Sequence, residues 1–136
     1  MILCIQRVLD AGQLAKLTPL LEAGAYRDGR ETAGWHAKLA KDNQQADPND
    51  AGLRAAAELV GERLLQHELF ALAVRPKRLA PVMISRYAQG KSYGSHTDDA
   101  MMGGLRSDVS FTVFLNDSSE YEGGELGQGH GAGRRR

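Results

Sequence analysis

Apolar residues recur at helical spacing in two places along the first half of the chain. Leu14, Leu17 and Leu21 form one short series, and Leu53, Ala57, Val60, Leu64 and Leu65 form a longer one. The longer series predicts an amphipathic helix from Leu53 to Leu72. The shorter predicts a helix with Asp10 as N-cap and Gln13 in the capping-box position. Gly24 fits the C′ position after it, and Pro19 predicts a kink or an early break. "ILCIQRVL" predicts a first strand, and "YRDGR" at 26–30 a turn leading into another. Residues 37–50, "AKLAKDNQQADPND", are polar and turn-rich, with Asp47 or Asp50 placed to cap the helix that follows.

After residue 80 the period changes. "PVMISRYAQG" at 81–90 reads as a strand ending in a turn. "SDVSFTVFLND" at 107–117 alternates: Val109, Phe111, Val113 and Leu115 point one way, and Ser110, Thr112 and Phe114 the other. "NDSS" is turn chemistry, and "YEGGEL" opens a further strand. Helices first and strands afterwards define an α+β domain, with helices packed outside a mostly antiparallel sheet. The final "GQGHGAGRRR" carries no apolar face and reads as a disordered tail.

The chain has 136 residues, enough for one small domain. Lys plus Arg and Asp plus Glu are equal at 17 each. That balance gives no general pull toward nucleic acid or an anionic membrane. Cys4 is the single cysteine, so no internal disulfide forms, which suits a cytoplasmic setting. The longest plainly apolar run, "FALAV" at 70–74, is far too short to span a bilayer. The start lacks a basic n-region and is read as a strand rather than a signal peptide.

Candidate chemistry sits at "YGSHTDD", residues 93–99. In an extended segment residues i and i+2 project to the same side, so His96 and Asp98 can reach one point. An imidazole nitrogen and a carboxylate oxygen together suit Fe(II), Zn(II) or Mn(II). Tyr87 and Tyr93 enter the same turn region, where phenolic hydroxyls can hold a small carboxylate-bearing molecule. A hydrolase or nuclease using the same pair with another metal is a rival reading, supported by nothing else in the chain. His36 and His67 have no paired ligand nearby and are assigned structural roles.

Together, several motifs resemble the Fe(II)/2-oxoglutarate dioxygenases, most closely the bacterial PKHD-type hydroxylases, relatives of prolyl 4-hydroxylase. They are Arg86-Tyr87, Gly90, Tyr93, His96 and Asp98; then "FLND" at 114–117; then Tyr121, Gly123, Gly124, Glu125 and Leu126. "DGR" at 28–30, "TAG" at 32–34 and "KDNQQ" at 41–45 add to the likeness, which covers roughly residues 5–126. The resemblance implies N-terminal helices packed on a double-stranded β-helix, or jelly roll, here incomplete. Residues 1–75 would be a helical and strand support region and 76–126 the first part of the barrel. Residues 127–136 would be the Gly/Arg-rich tail.

The resemblance also implies a facial triad of two histidines and a carboxylate, with His96 and Asp98 as the first two ligands to Fe(II). Tyr87 would line the 2-oxoglutarate pocket, with Tyr93 beside it. The implied reaction uses 2-oxoglutarate and O2, with ascorbate as a supporting reductant. It hydroxylates a C–H bond of a peptidyl (prolyl-like) or small-molecule substrate. No nucleic acid or membrane partner is implied. The distal histidine of such a triad is expected on the order of 40–60 residues beyond the first pair. His130 is the one histidine after His96, and it lies in the Gly-rich tail, with Arg134, Arg135 and Arg136 following. The expectation is therefore a chain cut inside the barrel. It is either a dioxygenase by family or a non-catalytic remnant with weak metal binding.

Overall fold

A computed structural model describes residues 2–35 and 37–127. It is a mixed α+β structure. Three α-helices, α1 (Ala11–Ala23), α2 (Ala51–Gln66) and α3 (Glu68–Val74), accompany two small antiparallel sheets. The first sheet holds β1 (Tyr26–Asp28), β2 (Gln44–Ala46) and β3 (Ser85–Arg86), with β2 in the middle. The second is a hairpin of β4 (Met101–Met102) and β5 (Leu105–Arg106). No described helix is long and apolar enough to cross a membrane.

Helix α1 starts at the predicted capping box. The Asp10 carboxylate accepts from Gln13 N–H at 2.8 Å, and the Gln13 side chain accepts from Asp10 N–H at 2.9 Å. The helix runs through Pro19 to Ala23, so the expected break does not occur. The i−4 carbonyl that Pro19 leaves without a donor belongs to Ala15, and both residues face solvent, where water can satisfy it. Gly24 ends the helix in an extended conformation, φ −69°, and not as a left-handed C′ residue. Its requirement is space: a Cβ there would meet Leu53 Cδ2 at 2.5 Å.

Asp50 caps α2 by accepting from Leu53 N–H at 2.8 Å. Its second oxygen accepts from Ala25 N–H at 2.9 Å, so one carboxylate ties the exit of α1 to the entry of α2. The buried face of α2 is Leu53, Ala56, Val60, Gly61 and Leu64. Ala57 is only partly buried and Leu65 is exposed, so the stripe is rotated from the predicted one. The predicted single helix also divides. His67, φ −73° and ψ 116°, closes α2 and opens α3. In a straight continuation Phe70 would fall off the stripe set by Val60 and Leu64. The break turns it inward to join Leu9, Leu17, Leu53, Ala56, Val60, Leu64 and Ile84 in one core.

Two sequence expectations fail in opposite directions. The apolar start at 2–9 forms no strand, although Ile5, Val8 and Leu9 pack on the core. The polar segment 37–50 contains the central strand. Its backbone pairs on one edge through Gly29 N–H to Asn43 C=O at 2.9 Å and Asp47 N–H to Ala25 C=O at 2.8 Å. On the other edge Ala46 N–H meets Ile84 C=O at 2.9 Å, and Asp42 N–H meets Ser92 C=O at 2.8 Å. The face this ribbon buries is polar: Lys41, Asn43 and Gln45.

Residues 107–117 and 121–126 form no strand either. Their side chains keep the predicted alternation in part. Val113 and Leu115 pack on the core, and Phe111 meets Phe70 edge-on, with ring centroids 5.9 Å apart. Val109 and Phe114 remain exposed. Val113 and Leu115 are thus turned toward the core, while Phe111 touches Phe70 but stays exposed.

Candidate metal centre

The loop carrying His96 and Asp98 is fastened to the ribbon before it turns outward. Lys41 and Tyr93 form an isolated antiparallel bridge, and Gly94 N–H donates to Ala40 C=O at 2.7 Å. Lys91 pairs with Asp42 at 3.0 Å on the same edge. The extended backbone then presents His96 and Asp98 together, as the i, i+2 spacing predicts. His96 Nε2 and Asp98 Oδ1 are 3.4 Å apart. His96 Nδ1 lies 2.7 Å from Gly94 C=O. A carbonyl only accepts, so this contact makes Nδ1 a donor, and Nε2 is the ring nitrogen turned toward the carboxylate. A metal-ligating histidine is commonly oriented in this way, with its other ring nitrogen held by a backbone carbonyl.

Tyr93 stacks on the imidazole, with centroids 3.6 Å apart and planes within 10°. Burial raises the Tyr93 phenol above its ordinary value, and the Asp98, Tyr87 and Asp99 charges raise it further. Tyr87 follows β3 and is half-exposed; its neighbour Arg86 lies over the Tyr26 ring at 3.9 Å and donates to Gln44 Oε1. Sequence reading missed Lys41. It is 6% exposed, its ammonium lies 5.2 Å from the Tyr93 centroid, and Thr32 Oγ1 accepts from it at 3.2 Å. The signal available was the spacing of Lys41, Asn43 and Gln45, every second residue of a segment that looked like a polar loop.

Two metal donors converge here, and their chemistry fits a borderline divalent ion. Among the described residues no group of three His, Cys, Asp or Glu side chains converges. His67 sits at the α2–α3 junction, away from this loop in the chain, and its Nδ1 is buried without a partner among the described residues. His36, His130 and Arg134–Arg136 lie outside the described residues.

His96 and Asp98, two residues apart on a loop anchored to a small antiparallel sheet, thus form a candidate metal pair. The sequence comparisons point to a family. The chain is 48% identical over 126 residues to a PKHD-type hydroxylase of Acaryochloris marina, covering 93% of this chain and 58% of that protein. It is 48% identical over 122 residues to one of a Picosynechococcus species, covering 90% and 56%. A PKHD-type hydroxylase of Idiomarina loihiensis is 44% identical over 126 residues, covering 93% and 57%. No family model matches the chain. Over the part that it spans the chain is a homologue of the PKHD-type hydroxylases, and that part is a little under three-fifths of the length of these relatives.

Proposed function

We propose that this chain carries the first two metal ligands and part of the 2-oxoglutarate pocket of an Fe(II)-dependent dioxygenase. The bond it would hydroxylate is an unactivated C–H bond of a peptidyl (prolyl-like) or small-molecule substrate. Residues 1–75 would support the site, and residues 76–126 would be the opening strands of a jelly roll. The observation that carries this reading is the pair geometry. His96 Nε2 faces Asp98 Oδ1 at 3.4 Å, while Gly94 C=O holds the opposite ring nitrogen at 2.7 Å. His96 and Asp98 would hold Fe(II), and Tyr87 and Tyr93 would flank 2-oxoglutarate. When bound, the metal and its keto-acid co-substrate supply the oxidising power, and ascorbate keeps the iron reduced. The protein groups do simpler work. Gly94 C=O would hold the Nδ1 side of the imidazole, Tyr93 would fix the plane of the ring, and the Asp98 carboxylate would add negative charge to a cation site.

Two ligands hold a metal more weakly and in a looser geometry than three. Misplacement by about 1 Å can cost on the order of 100-fold in rate. The 136-residue chain is therefore expected to bind Co(II) or anaerobic Fe(II) weakly and to make no succinate from 2-oxoglutarate above free iron. Titration followed by Co(II) absorption checks the first point. Binding by the wild type that survives unchanged in the His96→Ala, Asp98→Ala double variant would remove the metal reading. Robust turnover that disappears in His130→Ala would make His130 the third ligand. Replacing residues 127–136 with the C-terminal portion of a close relative is expected to restore turnover; metal binding without turnover in that chimera would favour the rival, non-catalytic reading.

A further inference from the structure

Lys41 is the least expected side chain near the candidate centre. The ribbon register puts it on the buried face with Asn43 and Gln45, opposite Tyr93 across the bridge. Directly opposed residues in an antiparallel pair are close neighbours. A buried ammonium ordinarily has a carboxylate partner, because desolvating a lone charge is costly. The described contacts of this one are the Thr32 hydroxyl and the Tyr93 ring. Burial alone lowers its affinity for a proton, and no acid offsets the effect. Such a cation is a poor choice for stability, so a role connected with its contacts is the better account.

Those contacts lead to the metal pair. The Lys41 ammonium lies over the Tyr93 ring at 5.2 Å, within the range of a cation–π attraction. The Tyr93 ring lies parallel to His96 at 3.6 Å. His96 Nε2 faces Asp98 at 3.4 Å. A tyrosine hinged on an exposed loop would otherwise rotate about its side-chain bonds, and the imidazole stacked on it would follow.

We propose that Lys41 is a positioning residue for the metal pair: its buried ammonium pins the Tyr93 ring, and that ring sets the orientation in which His96 presents Nε2. The inference rests on the reading of His96 and Asp98 as metal ligands, and it assigns Lys41 no contact with metal or substrate. It also accounts for a lysine, where a neutral side chain of equal length would pack at lower cost. The charge is what holds the ring.

Lys41→Met keeps the stem and removes the charge, and Lys41→Arg restores a cation. The first readout is the His96 ring-proton chemical shifts in the metal-free chain at one fixed pH. Stacking on Tyr93 shields them, and Tyr93→Leu supplies the unstacked values. Lys41→Met is expected to move the shifts most of the way to those of Tyr93→Leu, and Lys41→Arg to keep them near wild type. The second readout is Co(II) affinity. It is expected to fall about tenfold in Lys41→Met, the lower end of what losing an outer-shell partner costs, and to recover in Lys41→Arg. The thermal midpoint of Lys41→Met is expected to hold or rise, which separates positioning from structural support. Wild-type shifts and wild-type Co(II) affinity in Lys41→Met would overturn the inference. So would a fall in midpoint with the His96 shifts unmoved. Should Lys41→Met fail to fold, Lys41→Gln is put to the same measurements and judged by the same outcomes. Absence of Co(II) binding in the wild type would instead sink the metal reading, while the shift measurement would still decide the Lys41–Tyr93–His96 arrangement.

Discussion

Among the described residues, seven of the eight buried hydrophobic ones lie before residue 75, and only Ile84 lies after it. The second region does not lack large apolar residues. Met83, Met101, Val109, Phe111, Phe114 and Leu126 all belong to the second, and all are exposed. They differ in the range of the interactions each needs. A helix satisfies its backbone within itself, and its ends need only Asp10, Gln13 and Asp50 nearby in sequence. It can then close a core with one neighbouring helix. A strand satisfies half of its backbone groups only against another strand. Residues 107–117 have the alternation of a strand but no partner strand among the described residues. The candidate site lies where the two regimes meet. Its anchoring ribbon comes from the first region and its ligands from the second.

The sharpest way to break this comparison is to truncate one large apolar side chain in each region. Leu53 is 1% exposed and packs against Gly24. Leu53→Ala is expected to cost about 3–4 kcal/mol, in the range of large-to-small core substitutions. Phe114→Ala, on an exposed side chain, is expected to change stability by no more than about 0.5 kcal/mol. Urea unfolding of both variants checks the contrast. Equal losses would mean that the second region is packed as tightly as the first.

A smaller effect sharpens the account of the helical region. The Asp50 carboxyl is held below its ordinary range by hydrogen bonds from Ala25 N–H and Leu53 N–H. The Asp47 carboxyl is lowered by Asn49 N–H and then by Arg27. A folded-state value depressed below the unfolded one contributes stability that is fully present above the unfolded value, about 3.9. That stability is lost as pH falls through the folded value. The unfolding midpoint should therefore drop as pH is lowered below about 4. Asp50→Asn keeps a capping side chain but removes the titration. Its midpoint is expected to lie lower than wild type at pH 7 and to fall less steeply in acid. Parallel acid limbs in the two proteins would show that the Asp50 junction does not carry the acid sensitivity.

The smallest effect on stability is expected at the surface of the second region. Val109 and Phe114 project from extended, strand-like chain, a surface that invites pairing with another molecule. Phe114→Lys should leave the unfolding midpoint almost unchanged and reduce self-association at micromolar concentration, read by sedimentation velocity. A wild-type chain that is already monomeric at those concentrations would show that this surface is not sticky.

What could be read in the sequence follows the same division. The Asp10 capping box, the Asp50 cap and the approach of His96 to Asp98 were all legible. Each is decided within a few residues by a side chain and the backbone next to it. The shared side of Val113 and Leu115 was legible as well, because alternation needs only an extended chain. The division of the long helix at His67 was not. It depends on where Phe70 must go to reach a core assembled from Leu9, Leu17 and Ile84, far away in sequence. Nor was the central strand, since "KDNQQ" carries none of the apolar alternation by which strands announce themselves. Its place comes from backbone pairing with Tyr26–Asp28 on one side and with residues 84–94 on the other. That pairing alone sets Lys41 under the ring of Tyr93. Local chemistry brings His96 to Asp98, whereas only the folded chain brings Lys41 to the ring of Tyr93 on which His96 stacks.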